Sequence, residues 1–122
     1  MNYIEAETIL NGRTSRKLQP NTYLHRLAEG EIGLFYHKSY IISYKANSCK
    51  IYLNNHIGRS TINRINRYSP MKIINKNNIL YILDVDTKEY NIMFYNGIKV
   101  NYDGRILSKK KVHKIINHLI CL

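Results

Sequence analysis

Residues 22–53, TYLHRLAEGEIGLFYHKSYIISYKANSCKIYL, decide the fold because they hold short apolar segments separated by turn sequences. In these segments apolar and polar side chains alternate, or Ile and Tyr dominate, and both patterns favour strands. Ala28-Glu29-Gly30 and Ala46-Asn47-Ser48 favour tight turns between them. The strands predicted here are residues 22–27, 31–36, 39–45 and 49–53. We therefore expect an antiparallel meander built from hairpins.

A short helix is predicted after this meander. Ile62, Ile65 and Tyr68 recur at intervals of three residues, which predicts one apolar helix face. Ser60 is a candidate N-cap, because a serine side chain can accept a hydrogen bond from the first turn of a helix. The dipeptide Ser69-Pro70 ends the helix, because proline cannot continue it.

More strands and a second helix are predicted after Pro70. The predicted strands are residues 71–75, 79–85, 89–95, 98–102 and 105–107. Asn96-Gly97 is the strongest hairpin signal in the chain, and it predicts that 98–102 pairs back with 89–95. Ser108 is the candidate N-cap of a C-terminal helix over 108–122. Its apolar residues follow the helical period and are Val112, Ile115, Ile116, Leu119 and Ile120.

The predicted fold class is α+β, a mainly antiparallel β meander of short strands with one inserted short helix and a C-terminal helix. A chain of 122 residues can bury one core, so we expect a single domain over 1–122. Residues 11–21 are polar and basic and include Asn11-Gly12 and Pro20-Asn21. We interpret them as a basic loop or arm.

The charge of the chain indicates an anionic partner. Lys and Arg number 19 against 8 Asp and Glu, a formal net charge of +11. Nucleic acid, nucleotides or an acidic host protein surface are the natural partners of such a chain.

No apolar run has the length of a membrane span, and the acidic start has no signal-peptide character, so we expect a cytoplasmic protein without a membrane partner. Cys49 and Cys121 are then expected to be reduced.

Basic residues in three places are the candidate polyanion-binding site. Arginine pairs with phosphate through two parallel hydrogen bonds, and lysine supplies a point charge. Asn63 and Asn66 lie beside the arginines of the predicted helix and could contact base edges. The alternative is that these charges only solvate the surface. The candidate residues are Arg13, Arg16, Lys17, Arg59, Arg64, Arg67, Lys109, Lys110 and Lys111.

Tyrosine is the abundant aromatic residue, with 11 Tyr, two Phe and no Trp. Tyr40 and Tyr44 are expected to share one face of a strand, because strand side chains repeat every second residue. Exposed aromatic side chains flanked by cations are typical of surfaces that stack single-stranded nucleic acid. The alternative is that most of the tyrosines are buried or pair across strands.

The case for catalysis is weaker. Asp84 and Asp86, together with Glu89, could hold Mg²⁺ for a small nuclease, although carboxylates near a turn are more typical of solvated turn residues. The five histidines have no metal-ligand spacing, and the sequence has no phosphate-binding glycine loop or nucleophile motif. We predict no metal, no cofactor and no catalytic residue.

One set of residues follows a recognisable order along the chain: Asn21-Thr22-Tyr23-Leu24, Arg26, Ile32, Tyr36-His37, Ile41-Ile42, Arg59 and Arg64-Ile65-Asn66. In this order the chain resembles a widespread family of small, functionally uncharacterised tailed-phage (prophage) proteins. The chain lacks the family's Gly-Gly-Trp and has Ser39-Tyr40 where the family has Thr-Asp. The resemblance implies a phage origin and supplies no known activity.

The leading hypothesis is a small basic phage accessory protein that binds nucleic acid or another polyanion without catalysis, in a role such as antagonising host defence. The first alternative is a protein–protein inhibitor of a host defence or nucleic-acid-processing complex. The second is the metal-dependent nuclease. The apolar stripe of the predicted C-terminal helix could also join two copies into a homodimer.

Overall fold

The computed structural model describes residues 1–53 and 58–107, and this part of the chain folds into two helices and nine strands. The helices are α1 (Tyr3–Leu10) and α2 (Arg59–Tyr68). The strands are β1 (Ser15–Gln19), β2 (Thr22–Ala28), β3 (Glu31–Tyr36), β4 (Ser39–Tyr44), β5 (Ser48–Ile51), β6 (Ile73–Lys76), β7 (Ile79–Asp84), β8 (Glu89–Met93) and β9 (Ile98–Asn101). The α+β class with mainly antiparallel strands is confirmed. The predicted C-terminal helix, with Lys109, Lys110 and Lys111, lies outside the described residues.

The strands form two antiparallel sheets instead of one continuous meander. The six-stranded sheet has the order β1-β2-β3-β4-β5-β9, and the three-stranded sheet has the order β6-β7-β8. The predicted hairpin at Asn96-Gly97 is wrong, because β9 pairs with β5 and not with β8. The Gly97 amide donates to the Ile51 carbonyl, and the Asn96 side chain accepts from the Leu53 amide. These bonds direct the turn from the second sheet into the first.

The interpretation of residues 11–21 as a loop or arm is wrong for Ser15–Gln19, which forms edge strand β1, and correct for the turns on either side of it. β1 pairs with β2 in antiparallel register, with Lys17 opposite Tyr23. Asn21 adopts a left-handed conformation with φ of 60°, which allows the tight turn between the two strands. Hydrogen bonds to a neighbouring strand therefore override the polar composition of this segment. The segment predicted as 105–107 contributes only an isolated bridge, Val100 to Ile106.

The two helices begin in different ways. α1 was not predicted, although Asn2 and Glu5 form a reciprocal capping box at its start. α2 begins at Arg59 after Gly58 and has no side-chain cap, so the predicted N-cap Ser60 lies inside its first turn. The predicted end is correct, since Ser69 is the C-cap and its hydroxyl donates to the Ile65 carbonyl.

Both helices and both sheets contribute to one buried apolar cluster. Leu24, Leu34, Ile42, Ile51 and Ile98 follow one another across the six-stranded sheet and are completely buried. α1 adds Ala6 and Leu10, and α2 adds Ile62 and Ile65. The core therefore lies on one face of the six-stranded sheet and leaves the residues between these positions on the opposite face.

Candidate functional site

The face of the six-stranded sheet that points away from the core carries aromatic and basic side chains. Its residues form two rows across the strands. The first row is Lys17, Tyr23, Phe35 and Tyr40, and the second is Ser15, His25, Gly33, Ser43, Lys50 and Lys99. We call this surface the outer face. It combines side chains from β1 to β5 and β9, which the sequence separates by up to 84 positions.

Four rings on the outer face contact one another in a continuous chain, which we call the aromatic row. The ring centroids of His25 and Phe35 are 5.6 Å apart, as are those of Phe35 and Tyr40. The chain ends with an edge-to-face contact of 5.4 Å between Tyr40 and Tyr52. All three separations lie within the range of favourable aromatic pairs. Tyr23, opposite Phe35 in register, is a further exposed ring beside the row.

Gly33 keeps the aromatic row close to the sheet. A Cβ atom at this position would lie 3.0 Å from the Leu27 side chain and 3.1 Å from the Phe35 ring. Both contacts are tighter than normal packing, so a larger residue would displace the ring. The absence of a side chain at Gly33 therefore leaves room for the Phe35 ring in the position where it contacts His25 and Tyr40.

Cationic side chains flank the rings. Lys50 and Lys99 lie directly opposite each other in the register of β5 and β9, and Lys17 lies opposite Tyr23. Like charges in such a cross-strand pair disfavour folding. Within 1–53 and 58–107 the ion pairs are Arg26–Glu7 and Arg105–Asp86, so these lysines form none there. The outer face thus holds positive charge that a bound anion would neutralise.

One carboxylate, Glu31, also lies near this surface. Its Oε2 atom accepts a hydrogen bond of 2.6 Å from the Ser43 hydroxyl. Burial raises the pKa of the Tyr52 hydroxyl, and the nearby Tyr40 and Glu31 raise it further. Tyr52 therefore remains a neutral ring with a hydroxyl donor at physiological pH.

An open depression of about 640 Å³ lies at one end of the aromatic row. It is large enough for a nucleobase or a nucleotide, by comparison with ordinary ligand pockets of about 300–1,000 Å³. Its lining combines rings with polar donors: Ser15, Asn21, Tyr23, His25, Phe35, His37 and Lys38.

The rim of the depression contains a strained turn. His37 and Lys38 connect β3 and β4 as a two-residue hairpin loop, with φ angles of 52° and 73°. Such a turn normally takes Asn-Gly, Asp-Gly or Gly-Gly, because left-handed backbone is costly for most other side chains. The equivalent turn between β6 and β7 uses Asn77 and Asn78, with φ of 55° and 65°. The His37–Lys38 turn therefore places a histidine and a lysine in backbone conformations that cost stability.

The structure separates the predicted basic residues. Lys17 is on the outer face, while the Arg16 guanidinium donates to the Ile9 carbonyl at the end of α1. Arg13 and Arg59 are exposed, on the segment after α1 and at the start of α2.

Arg64 and Arg67 project from α2 toward the β1–β2 turn. Arg64 donates to the Thr22 hydroxyl at 2.8 Å and to the Ser60 carbonyl at 3.1 Å, and its guanidinium stacks on the Tyr36 ring. Arg67 contacts the Gln19 side chain at 3.4 Å. Arg64 thus holds α2 against the sheet, so it is a structural residue whatever else it binds.

Tyr40 and Tyr44 do not share a face, so this prediction is wrong. Tyr40 is 39% exposed on the outer face, whereas Tyr44 is fully buried. The cause is a β-bulge: Leu34 pairs with Ile42 and Phe35 with Tyr40, which leaves Ile41 unpaired. The extra residue reverses the alternation between the two tyrosines. The Tyr44 hydroxyl donates to the Tyr68 carbonyl at 2.6 Å, and burial raises its pKa well above the usual value.

The carboxylates proposed for a nuclease do not form a metal centre. Asp84 is buried and accepts a hydrogen bond from the Asp86 amide at 3.0 Å. Asp86 forms an ion pair of 2.8 Å with Arg105. No group of three or more His, Cys, Asp or Glu in the described part of the chain could hold a metal ion.

The residues that sequence analysis left out of the site are Tyr23, His25, Phe35 and Tyr52. The signal for three of them is the alternation itself, because each is a neighbour of Leu24 or Leu34, which point to the core. What periodicity could not supply is the register, which brings rings from four different strands or strand ends together.

No family model, curated protein or solved structure matches this chain. No helix within residues 1–53 and 58–107 is long and apolar enough to cross a membrane.

Proposed function

We propose that the protein binds single-stranded nucleic acid on the outer face of its six-stranded sheet, without catalysing a reaction. The observation that carries the proposal is the aromatic row, in which His25, Phe35, Tyr40 and Tyr52 are in successive ring contact on an accessible sheet surface. Unpaired bases stack on such rings whatever their sequence, because every base has a π-face.

The charge distribution supports the same partner. Lys17, Lys50 and Lys99 lie on the outer face with the rings, and the chain carries a net charge of +11. A strand whose bases stack on the aromatic row exposes its phosphates to these side chains. A duplex could use the charges but not the rings, because its bases are already stacked. We therefore expect single strands to bind more tightly than duplex.

The proposal is tested by fluorescence anisotropy with 15-nucleotide strands of dT and rU and a 15-base-pair duplex. We expect binding to single strands, with an affinity that falls log-linearly with salt concentration. Tyr40→Ala should weaken binding by about 5- to 150-fold, since stacking contributes roughly 1–3 kcal/mol per base. The matched control is Tyr90→Ala, which removes a ring that is 40% exposed on the three-stranded sheet. Equal loss in both variants, or no binding to either strand, contradicts the proposal.

A second candidate function, protein–protein inhibition, is favoured by a different surface. The three-stranded sheet exposes apolar side chains next to lysines, and such patches occur at protein interfaces. The exposed residues are Ile74, Ile79, Tyr90 and Met93. Met93→Lys should abolish capture of a protein partner from host lysate if this function is correct, and it should leave oligonucleotide binding unchanged.

The resemblance to tailed-phage proteins suggests where the proposed binding to single strands would take place. A phage protein acts inside the infected cell, where single strands arise during replication and during attack by host nucleases. We propose that the protein antagonises host defence by occupying such strands. Protection of a dT strand from a single-strand nuclease by the wild-type protein, and its loss in Tyr40→Ala, are the expected results.

A further inference from the structure

We infer that the His37–Lys38 turn and the depression beside it bind one nucleotide unit of the strand, with its phosphate at the turn. This inference rests on the proposed function and adds where the strand is anchored. The depression holds the three groups that a nucleotide needs. Phe35 and Tyr23 offer ring surfaces to a base, Asn21 offers an amide to its edge, and Lys38 offers a cation to the phosphate.

The backbone of the turn is the second observation behind the inference. His37 and Lys38 occupy left-handed conformations that the β6–β7 turn of the same protein fills with asparagines. Asn-Asn, which forms the β6–β7 turn, would adopt the same conformations at a lower cost. Strained backbone persists where the surrounding structure holds it, and it occurs disproportionately at binding sites. A cation and an imidazole at this position are explained if both contact a ligand.

The turn is also held rigidly at the edge of the depression. The His37 amide donates to the Asn21 carbonyl at 3.1 Å, which joins the β3–β4 turn to the β1–β2 turn. The His37 ring contacts the Tyr36 ring, with centroids 4.2 Å apart, and Tyr36 in turn carries the Arg64 guanidinium at 4.0 Å. The His37 ring and the turn backbone are therefore positioned before a ligand arrives, which lowers the entropy cost of binding.

The test compares Lys38→Gly with Lys88→Gly. Lys88 is the matched control, because it is exposed, has φ of 61° and lies in the turn before β8. Each substitution removes one positive charge and one left-handed lysine, so both should change the melting temperature alike, by a few degrees upward. Only Lys38→Gly should weaken binding of the dT strand, by about tenfold, and reduce the salt slope by about 0.7.

The outcomes separate this inference from the proposed function. If the wild type binds no single strand, the proposed function fails and the inference fails with it. If Tyr40→Ala weakens binding but Lys38→Gly and Lys88→Gly bind equally, the inference alone is wrong. Should Lys38→Gly not fold, Lys38→Asn replaces it, since Asn77 and Asn78 adopt the same turn.

A competition experiment identifies the source of the nucleotide. Free dTMP carries the same base, sugar and phosphate as one unit of the strand but lacks the neighbouring bases that stack on the aromatic row. We expect millimolar dTMP to be needed to displace the dT strand. Displacement by micromolar dTMP would overturn the inference, because the depression would then be a site for a free nucleotide.

Discussion

The guanidinium carbon of Arg64 lies 4.0 Å from the centre of the Tyr36 ring, so a cation on α2 stacks on an aromatic side chain of β3. The same guanidinium donates to the Thr22 hydroxyl on β2, at 2.8 Å. These contacts join the inserted helix to the end of the six-stranded sheet at which the depression opens. The helix therefore packs against the end of the sheet that carries the depression, and Arg64 makes the contacts that hold it there.

Arg64→Ala should destabilise the protein by about 1–2 kcal/mol, because it removes a cation–π contact and the hydrogen bond to the Thr22 hydroxyl, which keeps only its own bond to the Pro20 carbonyl. Urea denaturation followed by circular dichroism measures this change. Arg59→Ala is the matched control, since Arg59 is an exposed arginine in the first turn of the same helix. We expect Arg59→Ala to stay within about 0.5 kcal/mol of the wild type. Similar stability of the two variants would contradict a structural role for Arg64.

Tyr44→Phe should cost about 1–2 kcal/mol and leave oligonucleotide affinity unchanged. The substitution removes the buried hydrogen bond of 2.6 Å to the Tyr68 carbonyl and leaves that carbonyl unpaired. Because Tyr44 is on the core side of β4, its ring cannot reach a base. Thermal denaturation and fluorescence anisotropy on the same sample test both parts. If Tyr44→Phe binds the oligonucleotide more weakly than the wild type but is equally stable, Tyr44 is part of the binding surface.

The strands of the first sheet were predictable because period-two patterning reports burial directly. Leu24 alternates with the exposed Tyr23 and His25, and the boundaries of β2 to β5 lie within a few residues of those expected. Strand β1 was not predictable in this way, since Ser15–Gln19 is polar and becomes a strand only by pairing with β2. Its partner, and not its composition, determines its conformation.

The sequence predicted the kind of side chains that form the candidate site, but not which individual residues form it. Tyrosine and lysine content pointed to a cationic aromatic surface, and Tyr40 lies on one. The bulge at Ile41 places Tyr40, but not Tyr44, on the outer face. No pattern in the sequence predicts this bulge. Asn96-Gly97 shows the same limit, because a turn signal specifies a local bend and not which strands the bend connects.

The ion pair between Glu7 and Arg26 should make stability depend on acid pH. The two hydrogen bonds from Arg26, with a further one from Tyr3, lower the pKa of Glu7 from 4.5 to about 2. The folded state therefore favours the carboxylate. The stabilisation is fully present above the unfolded pKa, near 4.5, and is lost as the pH falls toward 2.

Glu7→Gln should accordingly be less stable than the wild type at pH 7, and the difference should shrink at pH 4 and more at pH 3. Urea denaturation at the three pH values gives the comparison. Glu29→Gln is the control, because Glu29 is an exposed carboxylate without an ion pair in the described residues, and its small effect should not follow this pattern. A Glu7→Gln difference that is the same at pH 3 and pH 7 would show that the ion pair is not the cause.

Cys49 should react with thiol reagents only when the sheet opens. Its side chain is 1% exposed on β5, and burial raises the pKa of its thiol to about 12. At pH 8 about one thiol in ten thousand is then the reactive thiolate, and the reagent cannot reach it in the folded state.

In a Cys121→Ser background, which leaves Cys49 as the single cysteine, labelling by a coloured disulfide reagent should be slow in buffer. The rate should rise with urea in proportion to the unfolded fraction, and in full denaturant it should match that of an unstructured thiol. Because Cys49 is opposite Val100 of β9, the same measurement reports the opening of the β5–β9 pair that carries Lys50 and Lys99. Labelling in buffer as fast as in denaturant would contradict the burial of this side chain. Protection that increases when a saturating dT strand is added is expected if the strand binds the folded protein, because a ligand that binds only the folded state stabilises it by mass action.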